Sequence, residues 1–161
     1  MVRALTRASG DGARREFEAF FVDVEPRLRR ALVARYGPED AADAVAEALT
    51  WAWAHWHRMR VMENAVGYLY RVAQSAHRER RQGFLALLAA EDGPHVEPGL
   101  LPALIALPDR QRTAVWLVVA SHFTQKEAAE AMGVSRSAVA THVERGLNAL
   151  RSGLHAAAAE G

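Results

Sequence analysis

One segment near the carboxyl end of the chain, Thr124–Leu150, constrains the fold more than any other. It places a small residue, Ala129, inside a first short helix, followed by Gly133, where a sharp turn requires a left-handed backbone. Ser135 then suits the cap of a second helix, whose apolar positions recur every three or four residues. Those positions are Val139, Val143, Leu147, Leu150 and Leu154. This order predicts a helix-turn-helix, which mostly serves to hold one helix face in the DNA major groove; the alternative is an ordinary helical hairpin.

Composition narrows the class of protein without pointing to nucleic acid. The chain has 161 residues, 50% of them hydrophobic, which permits one domain or two small ones. It has no cysteine, so disulfides, thiolate metal sites and cysteine nucleophiles are excluded. We expect a cytoplasmic protein, because no apolar run is long enough to span a bilayer and the first residues lack the apolar core of a secretory signal. The net charge is only +1.

Apolar residues at helical spacing predict an all-α first half with three helices. The first helix should begin near Ala13, and Pro26 should kink it or split it. Its apolar stripe consists of Phe17, Phe20, Phe21, Val24 and Leu28. The second helix should run from Pro38 to Arg58, with Val45, Leu49, Trp53 and Trp56 facing inward, and the third should start at Asn64.

A shift in composition divides the chain into two small helical domains. Residues 83–99 contain no basic residue and three acidic ones, Glu91, Asp92 and Glu97, which favours a linker. The first domain is therefore predicted at 13–82, and the second, with four helices including the helix-turn-helix, at 100–155. Each half offers only a small core, so we expect each to be marginally stable alone and to be held by a partner.

Five phrases of the sequence together resemble one family. The first half contains FEAFFVDVEPRLRRAL, EDAADAVAEALTWAW and GYLYRVAQSAHRERR; the second contains LIALPDRQR and TQKEAAEAMGVSRSAVATHVERGLNALR. In this combination they resemble the extracytoplasmic-function (ECF) sigma factors of the sigma-70 family, which are small bacterial transcription initiation factors. The resemblance covers roughly Phe17 to Leu154. It implies a promoter-melting domain, called region two, followed by region four, which binds the upstream promoter element.

The resemblance also implies roles for individual residues. Asp43 and Glu47 fall on the helix that, in the family, docks on a coiled coil of the RNA polymerase clamp. The candidates for the downstream promoter element are Arg58, Arg60, Asn64, Gln74, His77, Arg78 and Arg81. The candidates for the upstream promoter element are Gln125, Lys126, Arg136, Ser137, Thr141, His142 and Arg145, although Arg145 could instead brace the helix pair. The acidic linker would thread towards the nucleic-acid channel of the polymerase.

Several positions depart from the family pattern. Ala46 stands where Gln is usual in the docking helix, and Gln74-Ser75 stands where Arg-Asn is frequent in the third helix. On the recognition helix, Ala138 and Ala140 replace the usual Thr and Lys. These departures concern promoter binding rather than the fold, because they remove polar contacts from the face that would meet DNA.

The sequence leaves three alternatives to a sigma factor: an enzyme, a stand-alone regulator and a degenerate interaction module. Catalysis is disfavoured, because the sequence has no phosphate-binding loop and no nucleophile elbow. His55 and His57, two apart on a helix, cannot share a metal, and we expect no metal or cofactor. A stand-alone helix-turn-helix repressor or activator would be a dimer on a palindromic site. A sigma factor would be monomeric when free and would bind core RNA polymerase, promoter DNA and, as in many family members, an anti-sigma factor. A degenerate sigma-like interaction module is a third alternative.

Overall fold

A computed structural model of the chain describes residues 2–76 and 99–159, with the side chains of 2–9, 157 and 158 excepted. All regular secondary structure in these ranges is helical, which confirms the predicted all-α fold class. Helix α1 spans Val2–Tyr36, α2 spans Pro38–Ala54, α3 spans Trp56–Met59 and α4 spans Ala65–Ala76. In the second half, α5 spans Leu100–Ala106, α6 spans Asp109–Val115, α7 spans Gln125–Met132 and α8 spans Arg136–Ala159. A π-helical turn, Trp116–Ala120, follows α6 directly.

Some sequence-based predictions fall outside the described residues. These are His77, Arg78 and Arg81 at the end of the third helix, and the acidic residues Glu91, Asp92 and Glu97 of the linker. Within the described ranges, no helix is both long enough and apolar enough to cross a bilayer.

The first helix is longer than predicted. It begins at Val2 rather than Ala13 and continues through Pro26 instead of splitting there. It ends at Tyr36 because Gly37 adopts a left-handed backbone with φ 83°, and Pro38 then opens α2 at a position where the missing N–H is not needed. Glu39 and Asp40 in the first turn of α2 also favour the start of this helix, because their carboxylates lie at the positive end of the helix dipole.

The predicted second helix is wrong in two respects. It ends at Ala54, and a break at His55 separates it from the short helix α3. Trp53, predicted to face inward, is 48% exposed, whereas Trp56 is buried. Each step of four residues along an α-helix rotates the side-chain direction by about 40° around the helix axis. Trp53 lies two such steps after Val45 and is therefore outside the buried arc. Small residues form much of that arc: Ala41, Ala44, Ala48 and Ala52 are fully buried.

The two halves share one hydrophobic core. Leu28, Leu69 and Tyr70 from the first half belong to the same cluster of buried residues as Leu117 and Phe123 from the second. The second half adds a smaller cluster of its own, formed by Leu104, Leu107, Val115 and Leu150. In the described structure, the core of the first half therefore continues into the second.

Alkaline pH is expected to destabilise this shared core through Tyr70. Burial raises the pKa of the Tyr70 phenol, because an ionised phenolate would lose its hydration there. The folded chain therefore keeps this proton at a pH where the unfolded chain releases it, and stability falls as the pH rises past about 10. The melting temperature measured across this range should drop less in Tyr70→Phe, which has no proton to lose. Equal slopes for both proteins would contradict the prediction.

Candidate nucleic-acid interface and docking face

The predicted helix-turn-helix is present as α7 and α8. A capping box begins α7: the Glu127 N–H donates to Thr124 Oγ1 over 3.2 Å, and the Thr124 N–H donates to Glu127 Oε2 over 2.7 Å. Gly133 ends α7 with φ 65°, as the sequence indicated. Ser135 Oγ accepts the Ala138 N–H over 3.1 Å and so caps α8. The capping box thus fixes the start of α7, while Gly133 and Ser135 fix the two ends of the turn between α7 and α8.

The polar face of α8 is presented to solvent. Arg136, Ser137, Thr141 and Arg145 are exposed and His142 is half-buried, while Val139 and Leu150 are buried on the opposite face. Arg136 Nε donates to Gln125 Oε1 over 3.5 Å, which links the starts of the two helices. Of the predicted upstream candidates, Gln125, Lys126 and Arg136 therefore lie together at the amino-terminal ends of α7 and α8. Such helix ends suit phosphate oxygens, because unpaired N–H groups point outward there.

The predicted downstream candidates do not share a single surface. Arg58 is exposed on α3 and Arg60 is exposed just after it, and Arg60 Nη1 donates to Glu16 Oε2 over 3.4 Å. Asn64 lies just before α4, in a crevice shared with Lys126 and Arg136. Gln74 is half-buried further along α4 and lines a separate crevice with Arg35. Asn64, a predicted downstream candidate, thus lies beside the upstream candidates Lys126 and Arg136 and in a different crevice from Gln74.

The proposed docking helix α2 carries both candidate carboxylates and, on another part of its surface, lines an apolar groove with α1. Asp43 and Glu47 are both exposed. The groove between α1 and α2 has a volume of about 400 Å³ and exposes two large aromatic side chains, Phe21 and Trp53. The ring of Trp53 lies 4.9 Å from that of Phe17. This apolar strip is suited to a helical partner that presents apolar side chains.

Ion pairs between the two halves were not predicted from the sequence. Lys126 pairs with Glu63, Glu127 with Arg27, and Glu130 with Arg71 over 2.8 Å. The Arg27–Glu127 pair is largely buried, with 17% and 14% of the two side chains exposed. All three pairs join α7 to the first half. We call the interface between Lys126, Glu127 and Glu130 on one side and Arg27, Glu63 and Arg71 on the other the α4–α7 junction.

Close packing accompanies these pairs at the α4–α7 junction. A Cβ atom added to Gly67 of α4 would lie 2.2 Å from the Glu127 carbonyl oxygen, so only glycine allows this approach. Phe123 packs edge-on against Tyr70, with ring centroids 6.2 Å apart. Arg27 lies 5.6 Å from the centroid of Phe123, and its Nε donates to the His122 carbonyl over 3.2 Å. The junction therefore combines apolar burial with charge pairing.

Comparisons with known proteins agree with the helix-turn-helix. Residues 100–150 match the family described as Sigma-70, region 4. No curated protein matches the chain significantly. The match covers α5, α6, α7 and most of α8, and so includes the two helices that carry the exposed polar side chains described above.

Solved structures show the same fold along nearly the whole chain. One is the sigma factor RpoE of Bartonella quintana, solved in complex with the anti-sigma factor NepR. It has 23% identity, a TM-score of 0.63, and alignment over 88% of this chain and 98% of that one. Another is CnrH, solved in complex with the cytosolic domain of CnrY. It has 22% identity, a TM-score of 0.62, and alignment over 96% and 97% of the two chains.

Proposed function

We propose that this chain, a sigma-70 family protein with the fold of the extracytoplasmic-function sigma factors, directs transcription initiation by binding core RNA polymerase and promoter DNA. One observation supports this most: the segment that matches sigma-70 region 4 is the same segment whose α8 presents a row of exposed polar side chains. The role is one of binding and requires no catalysis.

In this proposal, residues 100–155 bind the upstream promoter element. The amino-terminal part of α8 would enter the major groove, where Arg136, Ser137 and Thr141 lie within reach of base edges or nearby phosphates. Lys126, His142 and Arg145 would add contacts to the DNA backbone, and Gln125 would hold the Arg136 side chain in place. The alanines at 138 and 140 leave few alternatives to these side chains.

Residues 13–82 would bind the polymerase and the downstream promoter element. The α1–α2 groove offers apolar surface, and the exposed Asp43 and Glu47 of α2 offer charge for Arg or Lys residues of the polymerase. Arg58, Arg60 and Asn64 precede α4 and Gln74 lies along it, where a separated DNA strand could find polar edges and positive charge. His77, Arg78 and Arg81 belong to the same proposal by sequence position alone.

The proposed partners follow from this role. The protein would act in the cytoplasm, as a monomer when free, and would bind core polymerase one to one. An anti-sigma factor is a further proposed partner, because the similar RpoE was solved with the anti-sigma factor NepR. A protein of that kind could cover the α1–α2 groove and compete with polymerase.

Reconstitution with core polymerase tests this function. The purified chain should elute with core RNA polymerase in equal amounts during size-exclusion chromatography, and the mixture should give run-off transcripts from a subset of genomic fragments. A stable dimer that binds palindromic duplexes and never elutes with polymerase would establish the repressor or activator alternative instead.

Replacing Glu47 with arginine should weaken polymerase binding about tenfold, because like charges would then face each other at the docked surface. The exchange lies on α2 and should leave binding of the full chain to upstream-element duplexes unchanged. Glu144→Arg is the matched control, since Glu144 is equally exposed but lies on α8. Equal polymerase affinity for the Glu47 variant, the control and the parent, measured by fluorescence anisotropy, would remove Glu47 from the docking surface.

A further inference from the structure

A polar crevice lies where α1, α4 and α7 meet, and its volume is about 630 Å³. Its polar side chains are those of Arg35 at the end of α1 and of Tyr68, Arg71, Gln74 and Ser75 along α4. We call it the Arg35 crevice. Its volume is within the range of small-molecule sites, about 300–1,000 Å³. Apart from Gln74, none of these side chains has a part in the proposed function.

The Arg35 crevice is positively charged, because two arginines line it and none of its lining residues is acidic. Arg71 pairs with Glu130 over 2.8 Å, which leaves the other N–H groups of its guanidinium for a ligand. Arg35 is half-buried, and its guanidinium carbon lies 5.7 Å from the centroid of the Tyr36 ring. Arg35 Nε is buried and has no hydrogen-bond partner among the described residues. A buried donor of this kind is stabilised by an anion bound beside it.

Tyr68 offers an aromatic ring at the same crevice. The ring is half-buried, and Trp51 packs against it with centroids 5.5 Å apart. Trp51 is itself stacked on His55, with centroids 4.1 Å apart. A ring held by such neighbours loses little freedom when a planar ligand stacks on it, and every nucleobase offers a planar face.

The carboxyl end of α7 adds hydrogen-bond acceptors on the opposite side. Ala131, Met132 and Gly133 line the crevice there, and the last carbonyl groups of a helix lack partners within that helix. These carbonyls lie at the negative end of the helix dipole, so they disfavour a bare anion. They favour a ligand that carries N–H donors as well as negative charge, which is the chemistry of a nucleotide.

We propose that the Arg35 crevice binds a free nucleoside monophosphate. Arg35 and Arg71 hold the phosphate, the base stacks on Tyr68, and N–H groups of the base donate to carbonyls at the end of α7. A crevice of this volume holds one small ligand, which favours a free nucleotide over a strand whose successive bases each need a stacking surface. The inference goes beyond the proposed function and requires neither polymerase nor promoter DNA.

Calorimetric titration of the full chain tests this binding. The probes are the 5′-monophosphates of adenosine, guanosine, cytidine and uridine. At least one should bind one to one, roughly tenfold more tightly than its own nucleoside, ribose 5-phosphate or inorganic phosphate. Equal affinity for inorganic phosphate would show a general anion site and overturn the proposal. So would the absence of saturable binding for all four nucleotides at millimolar concentration.

Two variants separate the phosphate contact from the base contact. Arg35→Ala should weaken nucleotide binding roughly tenfold, whereas Arg30→Ala, which removes the same group from an exposed position of α1 outside the crevice, should not. Tyr68→Ala should weaken nucleotide binding by a similar factor and leave the weaker binding of ribose 5-phosphate unchanged. Equal effects of the Arg35 and Arg30 variants would contradict the assigned phosphate contact.

An added carboxylate tests the site without removing any packed side chain. Ser75 is exposed near the end of α4, and its hydroxyl donates to the Val72 carbonyl over 2.8 Å. Ser75→Glu should repel the phosphate and weaken nucleotide binding roughly tenfold. Ser152→Glu is the matched control, because the Ser152 hydroxyl is equally exposed and donates to the Asn148 carbonyl over 3.1 Å. Should Arg35→Ala fail to fold, this pair decides the question, and parental affinity in Ser75→Glu would overturn the proposal.

The position of the bound nucleotide can be measured by two-dimensional NMR. The backbone amides of Tyr68, Ser75 and Gly133 should shift during the titration, and those of Arg30 and Ser152 should not. Because ligand that binds only the folded chain stabilises it, the nucleotide should also raise the melting temperature of the parent more than that of Ser75→Glu. Shifts confined to other parts of the chain would overturn the assignment.

A short DNA strand distinguishes a free nucleotide from a piece of nucleic acid. A single-stranded tetranucleotide that binds more tightly than every monophosphate, with the same loss in Arg35→Ala, would assign the crevice to DNA and overturn the proposal. These titrations contain no polymerase and no duplex, so failure of the chain to bind core polymerase or promoter DNA would refute the proposed function and leave this inference standing.

Discussion

Replacing Phe123 with alanine should lower the free energy of unfolding by about 3–5 kcal/mol, the largest effect that we expect for a single side chain. Phe123 is 2% exposed and contacts both Tyr70 and Arg27, so its removal leaves a cavity where the two halves meet. Because the core is continuous through this point, helices of both halves should unfold together. Guanidinium denaturation followed by far-ultraviolet circular dichroism would measure the change.

Phe21→Ala provides the matched control for this loss of stability. The chemical change is identical, but Phe21 is 43% exposed, so its removal should change the unfolding free energy by no more than about 0.5 kcal/mol. Two separate transitions in the Phe123 variant, with the first-half helices as stable as in the parent, would contradict a shared core. Comparable losses for the two phenylalanines would contradict the burial difference.

Replacing Arg136 with alanine should weaken binding to a selected upstream-element duplex by about 1–3 kcal/mol, the usual size of one base contact. Arg136 is exposed at the first position of α8, and Gln125 holds its guanidinium near the start of α7. A side chain in this place lies close to base edges when the helix enters the major groove. Binding isotherms for the selected duplex and for a scrambled one would show whether the loss is specific to sequence.

Arg151→Ala is the matched control for Arg136. It removes the same charged group from an exposed position further along α8, where the guanidinium donates to Asn148 Oδ1 over 3.0 Å. This variant should bind the selected duplex as the parent does. An equally small loss on the selected and scrambled duplexes for Arg136→Ala would reduce Arg136 to a phosphate contact, whose effect would also diminish as salt is raised.

The helix-turn-helix could be predicted from the sequence because its determinants are local. Gly133 and Ser135 act on backbone groups within five residues of themselves, through a left-handed turn and a cap. The turn angle therefore depends on short-range sequence order, which is visible before any packing is known. The buried side of α8 could be predicted as well, because its apolar residues, among them Val139 and Leu150, recur at helical spacing.

The α4–α7 junction could not be predicted, because its partners are far apart in the sequence. Arg71 and Glu130 are 59 residues apart, and Arg27 and Glu127 are 100 apart. Charged residues of this kind usually lie on solvated faces, and nothing in their spacing indicates a partner. Gly67 offered one clue, since a glycine within a helix costs stability and often marks a close approach of backbones.

The misplacement of Trp53 has a simple physical origin. The sequence-based prediction gave most weight to the largest apolar side chains, whereas alanines form much of the buried arc of α2. A tryptophan at the edge of the buried arc keeps part of its ring in water. The same error would arise wherever small residues form the interface and large ones lie beside it.

The half-exposed indole of Trp53 gives this protein a spectroscopic reporter at its proposed docking groove. Emission from an indole shifts to shorter wavelengths once water leaves its surface, and the buried Trp56 supplies a signal from inside the same fold. The arrival of any helical partner over the groove could then be followed by intrinsic fluorescence, without a dye or a tag.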